Sequence, residues 1–386
     1  MKKQINKINF IYILSFLGDA LFSPFLALYF SSLDINESKK GLLLALIPLA
    51  TLIGSLIYGK FSNKMKRNLL IIRILVIMQL IAMSIMGFIT SYYLIAVFVV
   101  IFALHNNTFF SFQDGIAVKI TNKENKIYAN TRLFGTLGYF IGSVVGGKLI
   151  DLTSFGIVFL IAGIIYAIVE LMFFLIKPFE EDENEEDKEK ITFKNVLSNR
   201  QYIFYLMFYI LVLGTWHIEE AYVSIMFKNN GLTTSMWGYV YAFQILIEMG
   251  VIYLVNKFLK DKHKHHLILM VAICAIILRS VVLSLSLGLW IQVILVSSLR
   301  GVAWGLFLSS HMETIKSILP KDLITKAILI FAISSNIFVT IGNYLAPYIY
   351  QKITFNGMFL VLLIIQIIGA SIYLITFNIK YLRKKK

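Results

Sequence analysis

Long apolar runs alternate with short polar stretches from one end of this 386-residue chain to the other. Twelve of the runs come near or exceed the ~20 residues that an α-helix needs to cross the hydrocarbon core of a bilayer. They predict helices at about 8–30, 41–60, 69–89, 92–116, 130–150, 155–177, 201–225, 236–257, 266–286, 289–312, 324–350 and 356–378. The fold class is therefore an all-α membrane protein with twelve transmembrane helices. An even number of spans puts both termini on one side of the bilayer.

The polar stretches decide which side. Lys39, Lys40, Lys148, Lys228 and Lys352 fall opposite the termini, and Arg132, Arg279 and Arg300 lie within helices. The rest of the 36 lysines and arginines lie on the side of the termini. The positive-inside rule then places both termini in the cytoplasm and the chain in the cell membrane. The longest cytoplasmic connection, 178–200, opens with the acidic run from Glu180 to Asp187, too charged to bury. It divides a first six-helix half, 1–177, from a second, 201–386, which ends in a basic tail. The halves echo each other: the basic tract from Lys60 to Arg67 after helix 2 parallels that from Lys257 to Lys264 after helix 8. A six-plus-six repeat is a common transporter plan, with the solute site near the membrane midplane.

Composition agrees. Hydrophobic residues make up 58% of the chain and charged ones 15%, with a mean hydropathy of +0.79, whereas soluble domains are roughly 45–50% apolar. The net charge of +15 would suit nucleic acid on a soluble domain, but membrane topology accounts for it here, so no nucleic-acid partner is expected. Cys274 is the one cysteine and sits in an apolar run, which excludes an intrachain disulfide. Met1-Lys2-Lys3 leads into a first segment too long for a signal-peptide core and without a small-residue cleavage site, so it reads as helix 1. There is no GxxxxGK[ST] phosphate loop, and His263, His265 and His266 lack acidic or cysteine partners at ligand spacing. No cofactor or metal is expected, and any driving force comes from a gradient or a partner.

Chemistry is concentrated in charges placed within the helices, each costing at least ~2.5–3.5 kcal/mol to insert. Asp19, Asp114, Arg132 and Glu170 lie in the first half, and Glu219, Glu220, Glu248, Arg279 and Arg300 in the second. Any one of them alone reads equally well as half of a static ion pair, and Glu170, two turns from a helix end, reads best as snorkelling to the cytoplasm. The set as a whole points to a polar cavity, because a bundle needing only stability could use apolar packing. His105, Asn106, Asn107 and Gln113 flank Asp114, while Trp216, His217, Tyr222, Tyr241, Gln244, Trp304 and Asn336 lie in helices of the second half. Rings beside amides and charges suit a polar organic solute; each amide alone is explained by interhelical hydrogen bonding, worth ~0.6 kcal/mol. Gly135, Gly138, Gly142 and Gly146 recur at helical spacing and predict a close helix–helix approach.

These features resemble the major facilitator superfamily almost end to end. Gly59-Lys60-Phe61-Ser62-Asn63-Lys64-Met65-Lys66-Arg67 is similar to that superfamily's loop motif G-x-x-x-D-[RK]-x-G-[RK]-[RK], with Asn63 in place of the Asp and Lys66 in place of the Gly. The resemblance makes Gly59, Asn63, Lys64 and Arg67 a conformational motif, lacking the acid on which its latch is built. Within the superfamily the chain is most similar to the branch of lactose permease and the phenylpropionate-permease-like transporters. Pro24-Phe25 with Tyr29-Phe30 resembles the branch's P-F-x-x-x-Y-[LF], Gly238 followed by Glu248 its helix 8 pattern, and Arg279 its helix 9 arginine. Asp114 with Arg132-Leu133-Phe134-Gly135 resembles a sugar-binding acid and arginine on helices 4 and 5 at the same separation. Arg300 and Ala303 stand where lactose permease couples protons through a histidine and a glutamate. Arginine stays charged at any physiological pH, so an acid must carry a coupled proton.

The resulting expectation is a monomeric secondary transporter taking up a small polar organic solute, a sugar or glycoside, by proton symport and alternating access. Asp114, Arg132, Asn107, Gln113, Trp304, Tyr222 and Gln244 are the candidate solute ligands. Glu248, followed by Glu219, Glu220 and Asp19, are the candidate proton sites, with Arg279 and Arg300 as their partners. An exporter of amphipathic compounds on the same fold stays open as an alternative. A membrane-embedded enzyme or receptor-like protein is the alternative of another class, and no cluster of nucleophile, base and metal ligands favours it.

Overall fold

The structure is a computed structural model, and it describes residues 2–59, 65–178, 193–258 and 265–383. In lipid every backbone polar group must be paired within the protein, and a helix does this within one segment. Eleven described stretches are long and apolar enough to cross a membrane. The first six are α1 (Gln4–Ser32), α2 (Glu37–Tyr58), α3 (Met65–Met86), α4 (Tyr92–Lys123), α5 (Tyr128–Leu152) and α6 (Phe155–Phe174). After a short helix at Phe193–Leu197 come α7 (Arg200–Asn229), α8 (Thr234–Phe258), α9 (His265–Ser284) and α10 (Leu289–Ile318). The last stretch is two helices, α11 (321–352) and α12 (355–383), divided where Ile353 and Thr354 leave helical geometry and Thr354 takes a φ of 68°.

Several helices outrun their apolar cores. The apolar pattern ends helix 4 near 116 and helix 10 near 312, whereas α4 continues to Lys123 and α10 to Ile318. The polar residues there no longer face hydrocarbon, but the local hydrogen-bond ladder continues into the interface at no cost in buried polar groups. The apolar residues also lie on all sides of the helices. Leu70, Ile74, Ile77, Ile81 and Ile85 form an outward stripe along α3, while Leu69, Ile72, Val76 and Met83 are buried on its inner side. A helix that is apolar all round, with one face left uncovered by protein, is the arrangement of a membrane span.

Two compact units are present. The first holds α1 to α6 with Leu232–Ala242, and the second holds the chain up to Gly231 from before α7, then resumes at Phe243. In the first unit α1 lies against α5 and α6, α3 against α4 and α6, and α2 against α4. The opening turns of α8 belong to this unit through Ser235, whose backbone N–H and hydroxyl both donate to Asp151 Oδ2 (2.7 and 2.5 Å), and Trp237, whose Nε1 donates to Pro24 O (2.9 Å). In the second unit α9 packs on α10, and α7 on α11 and α12.

The glycine spacing on α5 is what lets α1 approach. A Cβ on Gly138 would sit 2.2 Å from the carbonyl oxygen of Ile13, and one on Gly142 2.7 Å from that of Leu17. Backbone cannot step aside as a flexible side chain can, so Gly138→Ala is expected to push the two helices apart. A fall in the thermal unfolding midpoint in detergent, beside an unshifted Gly115→Ala control that meets nothing within 4 Å, is the measurement that checks this; equal midpoints would show that the seam yields.

Candidate functional site

Two charged clusters lie inside the helices, one in each unit. In the second unit the site depends on a local distortion of α7. Residues Ile210–Gly214 form one turn of π-helix, which inserts an extra residue and rotates the following turn. Gly214 is required at its edge, since a Cβ there would lie 2.5 Å from the ring of Phe338. Thr215 Oγ1 donates to the carbonyls of Leu211 (2.6 Å) and Val212 (2.9 Å), satisfying groups that the widened turn loosens. Immediately after it come Trp216, His217, Glu219 and Glu220.

Glu219 and Arg279 are both fully buried. Arg279 Nη1 donates to Glu219 Oε2 at 2.7 Å, its Nη2 pairs with Glu220, and its guanidinium lies 4.5 Å from the ring centroid of Trp216. Glu219 Oε1 accepts from Ser280 Oγ (2.6 Å) and Gln366 Nε2 (3.0 Å). Removing two ions from water costs several kcal/mol each; the three donors on Glu219 and the two carboxylates on Arg279 offset it, with Arg279 Nε left unpartnered among the described residues. Arg300 carries the chain of charges on, with Nη1 on Glu248 Oε2 at 2.7 Å and Nε at 3.5 Å from Glu220 Oε2. Glu220 and Glu248 keep 23% and 20% of their side-chain surface open, against 0% for Glu219. Among the ion pairs of the described residues, three carboxylates are thus joined to two guanidiniums, and with these five groups ionised they carry one net negative charge.

Beside this cluster runs an aromatic stack. Trp216 and Trp304 lie nearly parallel at 6.2 Å, His217 meets Trp304 edge-on at 6.0 Å, and Trp304, Phe307 and His311 continue face to face along α10.

In the first unit Asp114 Oδ1 accepts from Tyr12 Oη (2.6 Å) and from Arg132 Nη1 (3.2 Å), so α1, α4 and α5 meet at one oxygen. Arg132 lies 4.7 Å from the centroid of Phe16, which itself packs on Phe110 at 4.7 Å. This pair is half exposed, 45% for Arg132 and 36% for Asp114, in contrast to the sealed Glu219–Arg279 pair. Asp19 is buried deeper on α1 and has no cationic partner among the described residues. It accepts from Ser23 Oγ (2.7 Å) and from Asn106, where Pro24 interrupts the helix with a 3₁₀ turn at Ser23–Phe25.

The other residues singled out from the sequence scatter. Asn107 is exposed on α4, two turns from Asp114, whereas Gln113 is fully buried with neither amide atom partnered among the described residues. Gln244 is buried and donates to Ser297 Oγ at 3.3 Å. Tyr222 is also buried, and its hydroxyl donates to Asn343 O at 2.7 Å, so its polar end is engaged by α11. Glu170 pairs with Arg73 Nε at 2.6 Å. Gly59 ends α2 in open space, Arg67 is exposed in the first described turn of α3, and Asn63 and Lys64 lie outside the described residues. Four further residues of these clusters, Tyr12, Phe16, Ser280 and Gln366, do not stand out by charge. Gln366 is legible as an amide alone in the apolar run of α12, and Tyr12 with Phe16 as an aromatic pair one turn apart on α1.

Comparison with known proteins agrees with this architecture. Residues 5–372 match the MFS_1 like family. The chain is 22% identical over 376 residues to the transporter YwbF of Bacillus subtilis (strain 168), covering 94% of this chain and 91% of that one. It is 20% identical over 367 residues to a protein of Escherichia coli (strain K12) named "Probable 3-phenylpropionic acid transporter", covering 92% and 93%. Among solved structures, the nucleoside transporter NupG superposes with a TM-score of 0.82 at 13% identity over 97% of this chain and 99% of that one. The POT family transporter PepTSo does so with 0.75 at 12% over 97% and 98%. The chain belongs to the MFS_1 like family and is a multi-pass membrane transporter of the major facilitator type.

Proposed function

We propose that the chain couples proton movement to the uptake of a small polar organic solute of sugar or glycoside type. It works by alternating access, as a monomer in the cytoplasmic membrane with both termini inside. The observation that carries this reading is the unbalanced cluster of the second unit, three carboxylates against two guanidiniums with Glu248 and Glu220 partly open. A group of charges short by one positive charge is neutralised by one proton, and a neutral site crosses between exposures to water far more cheaply than a charged one. The stacked Trp216 and Trp304 beside it, and the half-exposed Arg132–Asp114 pair among Phe16 and Phe110, suit a ring bearing hydroxyl or carboxylate groups. A nucleoside is itself a glycoside, and NupG is named for nucleosides, so that class belongs among the solutes to be tried.

Uptake into vesicles, with and without an imposed proton gradient, tests the proposal on sugars, glycosides, nucleosides and 3-phenylpropionate. One class is expected to accumulate uphill and to be released by a protonophore. Outward pumping of amphipathic dyes with no uptake of any of these solutes would instead favour export.

A further inference from the structure

At the ends of α3 and α6 that carry Lys66 and Pro178, the first unit contains a cavity of about 560 Å³ that the transport chemistry does not use. Its walls divide by chemistry. Lys66, Arg67 and Arg73 line one part, and Phe173, Phe174 and Ile176 another. Arg73 is partly neutralised by Glu170 and lies 4.9 Å from the centroid of Phe174, two helical turns along α3 from Lys66 and Arg67. Lys66 and Arg67 are exposed. No carboxylate lines the cavity among the described residues.

The apolar part runs on into surface that faces hydrocarbon. Leu70 lines the cavity and is 60% exposed, and it begins the outward stripe of α3 through Ile74 and Ile77. On α6, Phe174 and Leu171 are equally exposed. A soluble anion would satisfy the cations and leave this apolar channel wet. A free hydrocarbon chain would fill the apolar part and bring no anionic group to the basic one. An anionic phospholipid meets both, because its phosphate stands at the membrane surface directly above its acyl chains. Lys and Arg side chains beside a membrane helix attract such lipids electrostatically.

We propose that this cavity is a binding site for one anionic phospholipid, with its phosphate held by Lys66 and Arg67 and an acyl chain lying along Leu70 and Phe174. Arg73, tethered to Glu170, forms the floor where head group gives way to chain. The site is separate from the solute and proton sites, and its occupancy does not depend on what the protein transports.

The test is native mass spectrometry of the full-length protein released from nanodiscs of equal phosphatidylglycerol and phosphatidylcholine. The wild type is expected to retain phosphatidylglycerol over phosphatidylcholine by roughly thirtyfold, the scale of two interfacial cations acting together. The double variant Lys66→Gln, Arg67→Gln should bring retention near parity; both side chains are exposed, so folding is not at stake. The control Lys119→Gln, Lys123→Gln removes the same charge from the matching end of α4 and should keep the preference. Retained selectivity in the Lys66/Arg67 variant overturns the proposal, as does an equal loss in the control, which would mean diffuse attraction to a basic surface. Displacement of the lipid by millimolar inorganic phosphate would assign the cations to a free anion and overturn it as well.

Discussion

Arg132→Lys is expected to reduce transport about tenfold or more, a loss of ~1.4 kcal/mol or greater in solute binding, while leaving folding and insertion intact. The pair that Arg132 forms with Asp114 is long, at 3.2 Å, and both side chains are more than a third exposed. Exposed pairs contribute only ~0–1 kcal/mol to stability, so this one is a poor brace and a good ligand. The guanidinium spends one nitrogen on Asp114 and rests its face near Phe16, a placement that presents the planar fork to a solute in two parallel hydrogen bonds. Lysine keeps the charge and loses the fork. Asp114→Asn should behave alike, because Tyr12 and Arg132 both donate to the same carboxylate oxygen. Initial uptake rates and equilibrium binding, normalised to protein in the membrane, are the measurements. Wild-type affinity in both variants would reduce the pair to a structural contact.

Both members of that pair are legible in the sequence, and the reason is physical. A charge in a twenty-residue apolar run is conspicuous because it is expensive, so Asp114, Arg132, Glu219, Glu220, Glu248, Arg279 and Arg300 stand out in the sequence. The spans are legible for the same reason. Partnership is not. Nothing in the spacing says that Glu219 is sealed against Arg279 by Ser280 and Gln366 while Glu248 shares Arg300 at a partly open surface. Those pairings depend on the rotation of each helix, and the π turn at Ile210–Gly214 resets that rotation for the half of α7 that bears both acids. Glu170 shows the same limit from the other side. Depth alone gives no partner, and Arg73 on a helix almost a hundred residues earlier supplies one at 2.6 Å. Tyr222 and Gln113 show that a polar group in a helix can be buried. One is committed to Asn343, and the other is enclosed by packing.

The difference between Glu219 and Glu248 leads to the largest expected effect. Glu248→Gln should abolish accumulation of solute driven by a proton gradient while sparing solute exchange between equal pools. Glu219 has three partners and no exposure, and it ties α7 to α9 and α12. Breaking such a sealed pair typically costs ~3–5 kcal/mol, and Glu219→Gln is expected to lower the amount of folded protein in the membrane. Glu248 keeps 20% of its side chain open and is joined to Arg300, which also reaches Glu220 at the longer distance of 3.5 Å. Arg300 can therefore shift its weight from Glu248 to Glu220. An opposite charge within ~4–6 Å favours the ionised carboxylate, so a small movement of Arg300 away from Glu248 favours loading it with a proton, and its return favours release. Glutamine imitates the protonated state permanently. Exchange needs no net proton movement and should continue at near the wild-type rate, whereas uphill accumulation needs the cycle of loading and release and should stop. Arg300→Gln removes the switch from the other side and should likewise uncouple transport, with the added loss of the 2.7 Å ion pair to Glu248. The measurement is counterflow and pH-step uptake on the same vesicles. If the Glu248→Gln protein still concentrates solute after a pH step, the proton is carried elsewhere, and Glu220, then Asp19 with its Ser23 and Asn106 donors, become the groups to replace.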